Sequence, residues 1–447
     1  MFVSIRSVCL AFVAVLSFSA VCPAQVVQTT DTAVITAASS FDSTATIDPE
    51  PVSHGVGYYA IRLPQYALQS PVWVLKGVSW LGVRQAYESS FGRTVAAAMH
   101  IQRIWGFYPA LDYGAEQGLA GGLVFHSRDV LTKGERFKIK GTYSTNRYQY
   151  YYIKYNLPHW AGYDYDANFM IRYHWMPRER FFGLGPATSK DNEVNYAHEE
   201  TYFHADFSYF PGHNIGFGLE VEYTISNARN GEDPALPGEL DSLIANPALG
   251  LTEASFAKSR IAGIGFLINH DWRDHRGQPT KGGFERIGIA YNVGTGRGDD
   301  LEFWHYSVEM AQYFNVYMKR IIAVRGLVDW RDRTTDSPEL PVYALADLGG
   351  LHGLRGYSTS RFNDDAKALA SIEYRWPLWD RIDAFLFIEG GRVFHDLSHD
   401  FEFRDWESSY GGGFRVWHQE GLQAYLQIAG SSEGGRVYFS WAEDLDF

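Results

Sequence analysis

From Ile104 to the end of the chain, short runs of residues alternate apolar and polar with a period of two, and turn clusters separate the runs. That period puts successive side chains on opposite faces of an extended strand, so most of the chain is committed to strands with one apolar and one polar face. Phe137, Ile139, Gly141 and Tyr143 alternate with Arg136, Lys138, Lys140 and Thr142. Phe203, Ala205, Phe207 and Tyr209 alternate with Tyr202, His204, Asp206 and Ser208, and Phe217, Leu219, Val221 and Tyr223 with Gly216, Gly218, Glu220 and Glu222. A soluble sandwich would alternate too, but its outer face would seldom be so aromatic. The 29 Tyr, 29 Phe and 13 Trp, together with 44 Gly, are the mixture of strand formers and interface anchors that suits a sheet facing lipid. Only alternate residues of such a sheet meet the bilayer, which explains why mean hydropathy stays slightly negative.

Segments of this kind start near positions 104, 118, 134, 148, 163, 197, 212, 257, 280, 301, 316, 365, 379, 408, 420 and 434. The total is sixteen, an even number as single-chain bacterial barrels require, and the spacing leaves room for ~10 residues across the membrane in each. The predicted fold over 104–447 is therefore all-β: a 16-stranded antiparallel transmembrane β-barrel. Connections after odd strands include the long ones, at 174–196, 226–256, 331–364 and 393–407, whereas those after even strands are short, such as Phe210-Pro211-Gly212-His213 and His418-Gln419-Glu420-Gly421. Long loops outside and short turns in the periplasm would put the N-terminal segment in the periplasm.

The N-terminus carries an export pattern. Arg6 supplies a positive start, Val8 to Val21 an apolar run shorter than a spanning helix needs, and Cys22 and Ala24 the small residues before a cut at Gln25. Residues 1–24 are thus expected to be a signal peptide. Both cysteines, Cys9 and Cys22, fall inside it, so the processed chain would hold no thiol, and disulfides and cysteine metal sites are excluded. Residues 25–103 are expected to be a periplasmic leader: 26–50 lack any period, and Trp73 to Ile101 has the spacing of an amphipathic helix broken near Gly92. A plug and a membrane-surface element remain equal readings of that helix.

Other chemistries find little support. A net charge of −13 argues against nucleic-acid partners. His270, Asp271 and His275 crowd one turn without a metal-motif spacing, Ser358 and Ser360 lack a Gly-x-Ser-x-Gly elbow, and no phosphate loop appears. Neither an enzymatic activity nor a metal or small-molecule cofactor is expected.

Before the twelfth strand the chain reads Gly349-Gly350-Leu351-His352-Gly353-Leu354-Arg355-Gly356-Tyr357, followed by Glu373-Tyr374-Arg375 and then Phe387-Ile388-Glu389-Gly390-Gly391. This resembles the BamA/TamA-type superfamily of outer-membrane assembly and translocation barrels, the bacterial surface antigens. The resemblance implies an Arg-Gly-aromatic loop folded into the lumen and a Phe-x-Asp-x-Gly strand facing it, with Glu389 in place of the usual Asp. Asp271-Trp272-Arg273-Asp274 with Pro279 and Gly282, Phe181-Phe182-Gly183-Leu184-Gly185, Tyr108-Pro109 through Gly118-Leu119 and the terminal Phe447 resemble further family elements. The resemblance spans about 104–447. Members usually carry POTRA domains ahead of the barrel, and 25–103 lacks their βααββ pattern, so a member without them is expected.

A guanidinium in a barrel lumen is costly unless paired, and it matches a carboxylate bidentately. Arg355 is therefore expected against Glu389, with Glu373 sharing it; Gly356 should let the loop backbone approach the wall, and Tyr357 should pack there, alongside Phe387 and Gly391. The implied role is insertion or translocation of proteins or lipids, with outer-membrane lipids and unfolded outer-membrane or secreted proteins as partners. First and last strands would form a weak seam, through short pairing of the strand near Trp105 to Tyr113 with that ending at Phe447, where Gly434, Gly435 and Glu443 interrupt the apolar face. A passive pore, a structural surface antigen and an outer-membrane lipid hydrolase are the rival readings.

Overall fold

The computed structural model describes residues 105–441 except 159–163, 212–213, 276, 297–299, 318, 335–336, 380–381 and 419–420. The expected signal peptide, leader and helix, together with Glu443 and Phe447, lie outside the described residues.

Wall strands run from β1 (Trp105–Gly114), β2 (Gly118–Arg128), β3 (Arg136–Ser144) and β4 (Gln149–Leu157) to β5 (Tyr165–Phe181), β6 (Val194–Tyr209), β7 (Ile215–Asn230) and β8 (Ser259–Asp271). They continue through β9 (Gly282–Gly294), β10 (Glu302–Tyr317) and β11 (Arg320–Arg333). Two short strands, β12 (Ala346–Leu348) and β13 (Phe362–Asp364), then leave the wall and pair only with each other. The wall resumes with β14 (Ala366–Trp379), β15 (Ile382–Phe394), β16 (Glu407–His418), β17 (Gly421–Ser431) and β18 (Gly434–Trp441), which closes onto β1. The result is the expected 16-stranded antiparallel barrel, each wall strand starting within four residues of its expected position.

Burial is inverted relative to a soluble sheet protein. Ile139 and Tyr143 of β3, Phe203, Phe207 and Tyr209 of β6, and Leu219 and Val221 of β7 are exposed, while Lys140, Thr142 and Ser208 on the alternate face are buried. A closed sheet satisfies its backbone groups between strands and can turn apolar side chains to hydrocarbon, which is the condition for crossing a bilayer without helices.

The expected 174–196 loop needs correction. β5 continues to Phe181 and β6 begins at Val194, paired from Arg180↔Asn195 through Trp175↔Glu199. Here both faces carry polar groups, including Arg178, Glu179, Asn195, His198 and Glu199, so the period-two signal fades while the ladder goes on. The wall thus stands taller than its lipid-facing stretch at this end.

The loop between β11 and β14 turns inward. Leu348, Leu354, Tyr357 and Phe362 pack with Leu369 of β14 and Val393 of β15 into a small buried cluster, and β12 pairs β13 with Leu348 opposite Phe362. Four apolar side chains hidden from water tie the loop to the lumen wall before any charge acts.

Candidate functional site

Alternation puts residues 371, 373 and 375 of β14, 385, 387 and 389 of β15, and 409 to 415 at odd positions of β16 on the lumen face, in register as Ser371↔Glu389↔Ser409 and Glu373↔Phe387↔Gly411. Gly411 matters because it has no side chain: a Cβ there would come within 2.8 Å of the Phe387 ring. The ring leans into that space and becomes a floor. Above it lies the Arg355 guanidinium, 3.4 Å from the ring centroid.

The structure brings Arg355 to Glu389 through two hydrogen bonds: Nε donates to Oε2 at 2.9 Å and the backbone N–H donates to Oε1 at 2.5 Å. Ser409 Oγ donates to the same Oε1 at 2.6 Å. Glu373 lies farther from Arg355, at 3.5 Å from Nη1, because it is engaged elsewhere. Arg375 Nε donates to it at 2.5 Å, and Arg415 forks onto both its oxygens at 2.5 and 3.0 Å. Three guanidinium groups therefore share two carboxylates, all five side chains buried. In a low-dielectric lumen such a network holds only if every member is paired. A cavity beside it is lined by Leu351, Gly353, Arg355, Glu373, Arg375 and Arg415 among others.

The remaining expected residues also meet the loop. A Cβ on Gly356 would fall 2.4 Å from the Gly430 carbonyl oxygen and 2.9 Å from Ser431 Cβ, so the loop backbone rests directly on β17. Ser431 Oγ donates to the Gly356 carbonyl at 2.9 Å. Tyr357 is buried, and its phenol donates to Glu407 at 2.6 Å; burial and that carboxylate push the phenol up to about 12, so it stays protonated and a donor. Gly391 lies under the loop, where a Cβ would come within 3.0 Å of Leu348 Cδ2. Gly356→Val should displace the loop, making 349–361 open to limited proteolysis that the wild-type barrel resists; equal resistance would contradict the close approach.

Sequence reasoning missed half of the loop's attachments. Arg361 is buried and donates three hydrogen bonds of 2.7 to 2.9 Å to Glu433, reaches the Thr188 carbonyl and hydroxyl at 2.8 Å, and covers the rings of Phe182 and Phe362. Gly185 N–H donates to the Asn363 carbonyl at 2.9 Å. The Phe181–Gly185 segment thus packs on the lumen loop. A second arginine visible in the same loop, six residues after the first, was the available signal.

β18 carries the other attachments. Tyr438 Oη donates to the Arg355 carbonyl at 3.0 Å, and Arg436 bridges Ser358 of the loop to Glu116 in the β1–β2 turn, 2.5 Å away on the far side of the closing seam. Among the described residues β1 and β18 pair at Leu111↔Trp441, Asp112↔Ser440 and Tyr113↔Phe439, the register at which the wall closes. Contrary to the expectation from the sequence, Gly434 and Gly435 do not interrupt this seam; they pair with Ser431 and Gly430 of β17, beyond the end of β1. Ser440 Oγ donates to Asp112 across this seam, and Lys140 of β3 pairs with the same carboxylate at 3.1 Å.

Elsewhere, Asp271 is taken up by Arg273 at 2.8 to 2.9 Å, and His270 lies 3.4 Å from Glu285. Asp274 accepts the Thr280 and Lys281 N–H groups, which shapes the turn before β9.

The sequence pattern of the Omp85 superfamily domain matches residues 130–418. Among solved structures, a BamA from Haemophilus ducreyi lacking POTRA domains 1–3 superposes with a TM-score of 0.53 at 15% identity, covering 76% of this chain and 70% of that one. CdiB from Acinetobacter baumannii gives 0.48 at 13% identity over 76% and 59%, and CdiB from Escherichia coli 0.49 at 10% over 75% and 62%. The chain spans about six tenths of the length of the two CdiB chains. No curated protein matches it in sequence.

Proposed function

The chain belongs to the Omp85 superfamily and is a bacterial outer-membrane β-barrel, and from that premise we propose that it inserts or translocates polypeptide at the outer membrane by parting the β1–β18 seam. One observation carries the reading. The lumen loop is fastened to β14–β18 by buried charge pairs and hydrogen bonds, and its last attachment, Arg436, reaches across the seam where β18 closes onto β1.

The seam joins the first and last wall strands, which no hairpin turn links, so it is where a closed barrel can part without straining a connection. An exposed strand edge presents unpaired N–H and C=O groups, which an unfolded outer-membrane or secreted protein could meet by strand addition. The loop's anchorage to β14–β17 would hold that half of the wall rigid while β1 swings away, and the ion pair between Glu116 and Arg436 would break as it does. The reaction so described needs no catalytic group and no cofactor, and the N-terminal segment would face the periplasm, where such clients arrive.

Depletion of the protein tests this. The level of at least one other outer-membrane or secreted protein is expected to fall and to recover on expression of the wild type but not of a seam-locked form; an unchanged outer-membrane and secreted proteome would overturn the proposal. Purified protein should also fail to release fatty acid from phospholipid, since sustained hydrolysis would turn the reading toward an enzyme.

A further inference from the structure

The connection between β15 and β16, residues 395–406, does not cover the lumen. Leu348 packs on Leu369, so odd positions of β14 face inward and even ones outward. Yet Ala366 and Ala368, on the outward face, are buried, and so is the outward Phe394 of β15. They are covered by the connection itself: Leu397, Phe401 and Trp406 pack with them and with Trp330 and Tyr306 of the neighbouring strands. The segment has folded over the rim and lies down the outside of the barrel.

Its aromatic rings form a continuous ladder. Phe394 meets Phe401 at 5.6 Å between centroids, Phe401 meets Phe403 edge-on at 5.1 Å, and Phe403 stacks on Trp406 at 5.8 Å. Trp406 rests over Gly390, where a Cβ would lie 3.6 Å from the indole, in ordinary contact. The arrangement is pinned. Arg392, pointing outward from β15, donates to Glu402 and to the Arg404 carbonyl at 2.7 Å, and the Trp406 indole N–H donates to the Glu402 carbonyl at 2.8 Å. Phe403, the third ring of the ladder, remains 73% exposed.

We infer that this segment is a lipid-binding collar, with Phe403 and Trp406 seated in the bilayer at the boundary between headgroups and acyl chains. Position argues for lipid as the occupant. Gly390 is two residues, about 7 Å, along β15 from Ile388, and Ile388 belongs to an outward row with its register partners Ile372 and Tyr410, all of them widely exposed on the belt that faces the membrane. One row, Ala370, Gly390 and Ser408, lies between that belt and the collar, and it carries no charge. Indole and phenyl groups with their polar atoms satisfied are suited to this depth, and a preformed, braced ladder enters the interface with little ordering cost. Its acidic groups, Asp400, Glu402 and Asp405, are exposed and can stay in water while the rings enter the interface.

The described barrel has no cysteine, so a single one can be placed at will. Phe403→Cys, nitroxide-labelled and refolded into phosphatidylethanolamine and phosphatidylglycerol vesicles, is compared by electron paramagnetic resonance with Ile388→Cys in the belt and Glu253→Cys on the exposed β7–β8 loop. The 403 label should collide with oxygen several-fold more often, and with a water-soluble nickel chelate several-fold less often, than the 253 label, approaching the 388 label. Accessibility at 403 equal to that at 253 would overturn the inference and leave the rings to a protein partner. Heat-modified electrophoresis of each labelled protein confirms folding first, and because no client is present the outcome is independent of any insertion activity.

Discussion

Glu373→Ala is expected to destabilise the barrel more than removal of any one arginine of the lumen cluster, by roughly 3–5 kcal/mol. Glu373 touches three guanidinium groups: Arg375 at 2.5 Å, Arg415 at 2.5 and 3.0 Å, and Arg355 at 3.5 Å. Without it three cations share Glu389 alone, which is already committed to the Arg355 backbone, the Arg355 side chain and Ser409. Removing one arginine leaves two cations for two anions. The temperature at which the folded band is lost in heat-modified electrophoresis should therefore fall further for Glu373→Ala than for Arg375→Ala or Arg415→Ala. Glu373→Met combined with Arg415→Leu should recover much of the loss, since an apolar pair of similar volume can replace a buried ion pair at little cost. A midpoint unmoved by Glu373→Ala would mean that the cluster is solvated and the charge argument wrong.

Arg355→Glu is expected to abolish function while the wall still closes. It sets a third carboxylate beside Glu389 and Glu373 and removes the cation stacked on Phe387. Loop release should appear as new protease cleavage within 349–361, and client levels should drop to those of a deletion strain. Restoration by Glu389→Arg should be slight. Glu389 accepts two further hydrogen bonds, from the Arg355 N–H and the Ser409 hydroxyl, and a guanidinium can accept neither. Arg355→Lys should also fall short, because an ammonium keeps the charge but loses the planar fork and the stacking on the ring. Full activity in Arg355→Glu would remove the loop from the mechanism.

The barrel was legible because lipid on one side and a polar lumen on the other write themselves into every second residue, and all sixteen wall strands follow from that alternation. The upper parts of β5 and β6 were not, since Val194 to His198 are buried on both faces, polar Asn195 and His198 among them, and Arg178 to Asn195 carries no period. Arg355 and Glu389 could be matched from charge and motif alone. Arg415 could not, because its partnership with Glu373 depends on the register of three adjacent strands, which no local pattern states. The same holds for Arg436 and Glu116, which are 320 positions apart and meet only when the sheet closes. The segment at 395–406 read simply as part of a long loop, and its outward fold rests on packing against the two small alanines of β14, Phe394 and Trp330, which lie on three different strands.

Opening at the seam is the claim on which the functional reading stands, and a reversible covalent tie across it is the most direct test. Leu111 and Trp441 are register partners in β1 and β18, at a separation a disulfide can bridge in an antiparallel pair. A strain relying on the Leu111→Cys, Trp441→Cys form should lose the affected outer-membrane or secreted proteins under oxidising conditions and regain them within minutes of adding a reductant, while each single substitution behaves as wild type. If the oxidised, cross-linked barrel sustains client levels as well as the reduced one, the seam does not open in service and the account fails.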